Sequence, residues 1–141
     1  MSNSLIEAAG KFNFKLKIGC PKKYSPNKSI LKLAKKERIK LTITSKPLEA
    51  VEGADCVMTD KWISMNDKVN KASKKKILKP YQVNKKLMSK ANSDAIFMHC
   101  LPVGRGEEVT NEVIDGKQSV VWRQALNRVH AQKSIIKWCL D

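Results

Sequence analysis

Apolar runs of two different periods alternate along the chain, and this alternation constrains the fold more than any other feature. Residues 14–20 alternate apolar and polar side chains with the period of two that is typical of a β-strand. Residues 3–12, which precede them, place apolar side chains at the intervals of an amphipathic helix. Strands that alternate with helices imply parallel strands joined by right-handed crossovers. The sequence therefore predicts an α/β fold with a doubly wound, mostly parallel, Rossmann-like sheet flanked by helices.

The same reasoning extends to the end of the chain, whose 141 residues suffice for one domain without an internal repeat. Further helices are expected near residues 25–38, 45–51, 68–78, 83–90, 107–114 and 123–139. Further strands are expected at residues 40–44, 55–59, 95–98 and 119–122.

The formal charge is +15, from 28 Lys and Arg residues against 13 Asp and Glu residues, so polyanion binding needs to be weighed. However, 24 of the 28 cations are lysines, and they are scattered along the chain. Their densest run, residues 74–76, has no interleaved aromatic side chains. This pattern favours a solvated, lysine-rich surface over a nucleic-acid interface.

Several classes of protein are disfavoured by what the sequence lacks. The four cysteines are at least 36 residues apart, whereas zinc ligands come in closely spaced pairs, so we expect no metal site. Neither a dinucleotide fingerprint nor a Walker pattern is present, which argues against a nucleotide cofactor. The apolar runs are too short to cross a membrane, and residues 1–10 do not resemble a secretory signal, so a cytoplasmic location is expected.

Two polar loops follow predicted strands, at residues 60–67 and 99–106. In parallel sheets ligands bind beyond the carboxyl ends of the strands, so both loops should face one crevice. The Asp60 carboxylate, the Ser64 hydroxyl and the backbone around Met65 form a set suited to an ammonium and a carboxylate group, as in an amino acid. The alternative for Asp60 is a turn or helix-capping role.

Two other candidates are weaker on sequence grounds alone. His99 and Cys100 could suggest a base beside a thiol nucleophile, but adjacent residues in an extended chain point to opposite faces. Arg128 lies in the last predicted helix, where a solvated position is the usual assignment for such a residue. Reasoning from residue types alone thus ends at an α/β domain that binds a small anionic or zwitterionic ligand.

Five motifs, in order and at natural spacing, carry a resemblance to a known family. They are Thr-Asp-Lys-Trp-Ile-Ser-Met at 59–65, Tyr-Gln-Val-Asn at 81–84, Phe-Met-His-Cys-Leu-Pro at 97–102, Arg-Gly-Glu-Glu-Val-Thr at 105–110 and Asn-Arg-Val-His-Ala-Gln-Lys at 127–133. Together they resemble the second, ornithine-binding half of the ornithine carbamoyltransferases, and the resemblance spans essentially the whole chain.

This resemblance implies substrates and roles for individual residues. It implies that L-ornithine is carbamoylated by carbamoyl phosphate to give citrulline and phosphate, with no metal or organic cofactor. The residues implied to hold the amino-acid head group of ornithine are Asp60, Ser64 and Met65. The residues implied to face the reacting groups and carbamoyl phosphate are His99, Cys100, Leu101, Pro102 and Arg128.

The resemblance also indicates what the family has and this sequence lacks. The family's first domain, which supplies the phosphate-binding loop, has no counterpart, and neither has the strand before the first helix. We therefore expect residues 1–141 to be an ornithine-binding domain that needs a complementary carbamoyl-phosphate domain, and to be inactive alone. Family members are trimers built largely through the first domain, so no stable trimer of this chain is expected. The last helix should expose an apolar stripe at residues 135–140.

Two alternatives stay open at this point. The chain could belong to a carbamoyltransferase that uses another amine. It could also be a stand-alone amino-acid-binding or regulatory module that docks on a full-length homologue through its last helix.

Overall fold

A computed structural model of the chain describes residues 1–63 and 70–141. Within these ranges the strands are β1 (Leu16–Gly19), β2 (Leu41–Thr44), β3 (Cys56–Thr59) and β4 (Ile96–His99). The helices are α1 (Ser2–Phe12), α2 (Lys28–Lys36), α3 (Pro47–Val51), α4 (Lys71–Leu78), α5 (Lys85–Met88), α6 (Asn111–Ile114) and α7 (Val121–Leu140).

Asparagine side chains begin three of these helices. The Oδ1 atoms of Asn27, Asn70 and Asn84 accept hydrogen bonds from the backbone N–H groups three residues later, at the starts of α2, α4 and α5. Such a cap satisfies one of the amides that a helix leaves unpaired at its amino end. Asn13 ends α1 with a left-handed backbone, a conformation that asparagine adopts more readily than most residues. The residues that begin or end these helices are thus recognisable from the local sequence.

The strands pair in parallel, which confirms the α/β class and the parallel pairing expected from the sequence. β1 pairs with β2, and β3 pairs with β4, each over four residues in register. These are two separate two-stranded sheets in the described part of the chain, and no ladder joins one pair to the other.

The strand expected at residues 119–122 is wrong. Ser119 makes only an isolated bridge with Phe97, and α7 begins at Val121. The Phe97 backbone N–H donates to the Gln118 carbonyl, and the Val120 N–H donates to the Phe97 carbonyl. The next backbone bond is already helical, from the Gln124 N–H to the Val120 carbonyl. The apolar, β-branched run that resembles a strand is therefore the lead-in to a helix.

Two clusters of buried side chains form the interior. The larger one surrounds β3 and β4; its members are Val51, Val57, Val83, Leu87, Met88, Phe97, Val109, Val113, Ile114 and Val121. The smaller one lies beside β1 and β2 and contains only Ile6, Ile30 and Ala34 as fully buried members. Its other apolar side chains, such as Leu16 and Ile18, are only half-buried.

Helix α7 projects its carboxyl half away from both clusters. Only Val121 of its 20 residues is buried. The expected apolar stripe is exposed, and Trp138 and Leu140 keep 80% and 82% of their surface. In the described residues no helix combines the length and the apolar character that a membrane crossing requires.

Candidate functional site

The two polar loops that follow β3 and β4 meet through Asp60 and Cys100. β3 and β4 are adjacent parallel strands, so their carboxyl ends lie at the same edge of the sheet. The Cys100 thiol donates a hydrogen bond to Asp60 Oδ1 across 3.0 Å. The same Asp60 oxygen accepts from the backbone N–H of Lys61 at 2.7 Å. Among the residues that the structure describes, the two loops therefore touch at this edge.

The environment of Cys100 keeps its sulfur protonated. Burial, together with the hydrogen bond to Asp60 and the negative charge of that carboxylate, raises the pKa of the Cys100 thiol to about 11. A nucleophilic cysteine needs the opposite environment, because the thiolate is the reactive form. At neutral pH this side chain is therefore a hydrogen-bond donor and not a nucleophile.

The His99 side chain points into the protein, away from the Cys100 thiol. Its Nδ1 atom accepts a hydrogen bond from the Leu101 backbone N–H at 2.9 Å. Its Nε2 atom lies 3.4 Å from Glu108 Oε1, and both side chains are fully buried. Burial lowers the pKa of His99, although the carboxylate of Glu108 partly offsets this effect. The prediction that His99 and Cys100 form no dyad is confirmed by these partners.

The loop after β4 is held by two buried side chains that sequence reasoning did not single out. Glu108 accepts a hydrogen bond from the Gly104 backbone N–H through Oε1. Gln82 Nε2 donates to the carbonyl oxygens of Gly106 at 2.6 Å and Glu107 at 2.7 Å. Both side chains belong to motifs of the resemblance, but only the fold shows that they fasten the loop that carries Cys100.

Leu101 takes a strained backbone conformation at the turn of this loop. Its φ is 49°, a left-handed value that costs a branched side chain free energy. The hydrogen bond from its N–H to His99 Nδ1 helps to keep this conformation. Strain of this kind persists only where the surrounding structure holds it.

A cavity of about 560 Å³ brings the rest of the candidate residues together. Its walls include His99, Cys100, Leu101, Pro102 and Arg128. Gln124 is another lining residue, and its Oε1 accepts a hydrogen bond from the His99 backbone N–H at 3.0 Å. Arg128 lines this cavity together with Cys100 and is exposed, as residue-type reasoning alone expects. Ser64 and Met65 fall outside the described residues.

The arrangement suits a ligand that carries both signs of charge. Asp60 supplies a carboxylate, Cys100 a neutral donor, and Arg128 a guanidinium that can bind carboxylate or phosphate oxygens. The side chains on this edge thus offer groups of both charge signs and a neutral donor.

Comparisons with known proteins point the same way. The family model described as aspartate/ornithine carbamoyltransferase, Asp/Orn binding domain, matches residues 1–139. An ornithine carbamoyltransferase of Rhodopseudomonas palustris is 57% identical over 137 residues, which are 97% of this chain and 44% of that protein. One from Bradyrhizobium diazoefficiens is 51% identical, over 98% of this chain and 45% of its own length. The chain thus spans less than half of the length of these two relatives.

Solved structures show the same similarity in three dimensions. The anabolic ornithine carbamoyltransferase of Campylobacter jejuni has a TM-score of 0.92 at 34% identity, over 98% of this chain and 47% of that one. The ornithine carbamoyltransferase of Pyrococcus furiosus has a TM-score of 0.88 at 40% identity, over 96% and 45% of the two chains. The chain therefore belongs to the aspartate/ornithine carbamoyltransferase family and matches its Asp/Orn-binding domain.

Proposed function

We propose that residues 1–141 form the L-ornithine-binding domain of an ornithine carbamoyltransferase. The observation that carries the proposal is the 3.0 Å contact between Cys100 and Asp60 at the edge of the cavity that Arg128 lines. This contact joins two loops 40 residues apart in sequence, at the carboxyl edge of the sheet where α/β proteins bind ligands. Relatives named ornithine carbamoyltransferase support the choice of ornithine as the amine.

Each side chain then has a role in binding. The Asp60 carboxylate, with Ser64 and Met65, holds the amino-acid head group of ornithine. Cys100 and Leu101 lie where the δ-amino group meets the carbamoyl group, with His99 and Pro102 shaping the loop. Arg128 binds carbamoyl phosphate, since a guanidinium matches phosphate oxygens in pairs.

The proposed reaction needs positioning more than reactive side chains. The neutral δ-amine of ornithine attacks the carbamoyl carbon, the bond from that carbon to the phosphate oxygen breaks, and the amine loses a proton. The products are citrulline and phosphate. Holding the two substrates together and stabilising charge on oxygen supply the acceleration. The protonated Cys100 thiol suits such a site, because it donates a hydrogen bond without competing as a nucleophile.

We propose that a complementary carbamoyl-phosphate-binding domain completes this site. The chain covers about 44% of the length of its relatives, and the part of each relative that it does not cover is the source we infer for that domain. The isolated chain is then inactive in carbamoyl transfer and forms no stable trimer.

Calorimetry and a citrulline assay test the proposal. Ornithine is titrated into the chain alone, and then into a mixture with a separately expressed carbamoyl-phosphate domain of a relative and carbamoyl phosphate. We expect citrulline only in the mixture. Asp60→Asn should weaken ornithine binding about 10- to 100-fold, because a hydrogen bond to a charged group contributes about 1.5–3 kcal/mol. Asp94→Asn, at an exposed aspartate, is the matched control and should change nothing.

The results of these two assays distinguish the proposed enzyme domain from its alternatives. Ornithine heat with the chain alone, without turnover in the mixture, would favour an amino-acid-binding module over half of an enzyme. Turnover with another amine but not with ornithine would show that the substrate is that other amine. An absence of both heat and citrulline from a chain that folds by circular dichroism would overturn the proposal.

A further inference from the structure

A buried carboxylate lies behind the loop that carries Cys100. Glu108 is fully buried, with 0% of its surface exposed. Taking a carboxylate out of water costs free energy that its interactions must repay. An apolar side chain of similar volume often stabilises a protein interior equally well or better. Packing alone therefore does not explain an acidic residue at this position.

A single oxygen of Glu108 acts on both ends of the turn in this loop. Glu108 Oε1 accepts a hydrogen bond from the Gly104 backbone N–H, which follows the turn at Leu101. The same oxygen lies 3.4 Å from Nε2 of His99, which precedes that turn. This second distance is long for a hydrogen bond, so Glu108 acts on the imidazole ring mainly through its negative charge. The carboxylate thus links the two ends of the turn.

The carboxylate and Gly104 are packed too closely for a side chain at residue 104. A Cβ atom there would lie 2.8 Å from Glu108 Oε2, closer than Cβ atoms come to other atoms in proteins, and 3.2 Å from Oε1. Gly104 does not have a positive φ, so the glycine is needed for this close approach and not for a left-handed backbone. The carboxylate therefore packs directly on the backbone of the loop.

The ring of His99 connects the charge of Glu108 to the turn at Leu101. His99 Nδ1 accepts a hydrogen bond from the Leu101 N–H at 2.9 Å, so the neutral ring carries its proton on Nε2. The carboxylate beside Nε2 favours this tautomer, as a carboxylate does behind other histidines whose second nitrogen is in use. A proton on Nδ1 would instead oppose the Leu101 N–H, donor against donor.

The turn at Leu101 in turn sets the position of Cys100. Leu101 has a φ of 49°, a conformation that a branched side chain keeps only where the surrounding structure holds it. Cys100 is the preceding residue, and its thiol reaches Asp60 across 3.0 Å. A return of Leu101 to a negative φ would redirect the chain at Cys100 and break this contact.

We propose that Glu108 is a positioning residue for the candidate site. It fixes the His99 tautomer and the Gly104 amide, and the turn between them then keeps Cys100 on Asp60. Glu108 acts through these groups and needs no contact with a substrate. Its role rests on the proposed function only in what the loop binds, so the geometry of the loop is testable without ornithine.

Three substitutions in the full chain separate the links made by Glu108. Glu108→Leu fills a similar space without an acceptor, whereas Glu108→Gln keeps an oxygen for the Gly104 N–H and loses the charge beside His99. Gly104→Ala keeps the carboxylate and forces it away from the loop. Glu107→Gln is the matched control, at a neighbouring carboxylate that is partly exposed and pairs with Lys75. Circular dichroism checks that each variant folds.

The first measurement is the tautomer of His99, from the ¹⁵N NMR shifts of the ring nitrogens near pH 8, where histidine is neutral. In the unaltered chain we expect the proton on Nε2 alone. Glu108→Leu should give a mixture of tautomers, like that of the exposed His130 in the same spectrum, and Glu107→Gln should not. A proton on Nδ1 of His99 in the unaltered chain would overturn the proposal without any variant.

The second measurement is the rate at which iodoacetamide labels Cys100. Glu108→Leu should speed labelling about tenfold or more, because the released thiol leaves the carboxylate of Asp60 and forms thiolate more readily. Gly104→Ala should act in the same direction and decides the matter if Glu108→Leu does not fold. Glu108→Gln should give an intermediate rate, and Glu107→Gln the rate of the unaltered chain.

The half-buried Cys20 is the internal reference for this rate. General loosening of the fold would speed labelling of Cys20 and Cys100 together, whereas release of the loop speeds it at Cys100 alone. Equal acceleration at both cysteines, or no acceleration at Cys100 in a folded Glu108→Leu chain, would overturn the proposal.

Failure of this proposal is distinguishable from failure of the proposed function. If the tautomer and the labelling change as expected but the mixture makes no citrulline, Glu108 positions a loop whose ligand is not ornithine. If citrulline forms but neither measurement changes in Glu108→Leu, the proposed function stands and the role of Glu108 is wrong.

Discussion

The two halves of the molecule are built from the same parallel strand pairs but differ in how completely they are packed. The pair β3–β4 lies in a cluster of ten buried apolar residues, and the loop that follows β4 is fastened by Gln82 and Glu108. The pair β1–β2 is covered by three fully buried residues, and its own side chains remain half-buried. The half that carries the candidate site is therefore the half with a complete interior.

This difference shows that equal secondary structure does not imply equal burial of apolar side chains. Each strand pair has the same number of residues and the same ladder pattern. Burial of apolar surface, which supplies most of the free energy of folding, is what separates them. The candidate site depends on the better packed half for its geometry, because Gln82 and Glu108 fasten its loop there.

The largest expected effect comes from emptying the centre of the larger cluster. Phe97→Ala removes a fully buried aromatic ring from β4 and should lower the free energy of unfolding by about 3–5 kcal/mol. Urea denaturation measures the change. Phe12→Ala, at a side chain that is mostly exposed, is the control and should stay within about 0.5 kcal/mol. Equal effects at the two positions would contradict the contrast between the halves.

Next comes the reactivity of the thiol at the edge of the well-packed half. A pKa of about 11 for Cys100, against 9.0 for an unperturbed thiol, makes its thiolate about 100-fold scarcer near pH 8. Iodoacetamide labelling with mass spectrometry should show correspondingly slow alkylation. Asp60→Asn should speed it by removing the negative charge, whereas Asp94→Asn should not. Rapid labelling of Cys100 in the unaltered chain would show that the loop is not held as described.

A matched pair of truncations in β1 and β3 sharpens the comparison. Val57→Ala in the larger cluster should cost about 2 kcal/mol, from two lost methyl groups and the cavity they leave. Ile18→Ala removes more carbon but from a half-buried position, so about 1 kcal/mol is expected. Both are measured by urea denaturation. A larger cost at Ile18 would mean that the β1–β2 half is packed better than its exposure indicates.

The smallest expected effect is a dependence of stability on pH that is caused by His99, at the end of β4. Burial holds the folded-state pKa of His99 below its unfolded value of about 6.5, so the unfolded chain binds more protons below that pH. Stability should therefore fall as pH drops below about 6.5, with a slope below the one-proton limit of about 1.4 kcal/mol per pH unit. His99→Gln should flatten this part of the curve in urea titrations, and His130→Gln, at the exposed histidine, should not.

The sequence predicts most of the elements because their periods and caps are local. Asn13 and Asn27 mark the end of one helix and the start of another within a few residues of each boundary. The contact between Asp60 and Cys100 was also predictable in outline, because loops that follow adjacent parallel strands share an edge. The prediction of a strand at residues 119–122 was wrong because the apolar, β-branched side chains of this run are typical of a strand. The backbone hydrogen bonds that fix its structure are made with Phe97, more than 20 residues earlier in the chain, so no local pattern reveals them.

Other parts of the site depend on pairings that no local pattern encodes. Gln82 reaches carbonyls 24 and 25 residues away, and Gln124 reaches the His99 amide from the first turn of α7. Glu108 is an acidic residue in a loop, which by composition suggests solvent, yet it is fully buried. Only the fold brings these donors and acceptors together, so their roles appear with the structure.

Helix α7 has the geometry of a lever, because it is long and attached only near one end. Its 20 residues make a rod about 30 Å long, which is tied to the rest of the molecule near one end by Val121 and Gln124. A tilt of about 10° about that end would move the far tip by about 5 Å and the Cα atom of Arg128 by about 2 Å. A partner that grips the exposed tip would therefore set the distance between Arg128 and Cys100, although it touches neither residue.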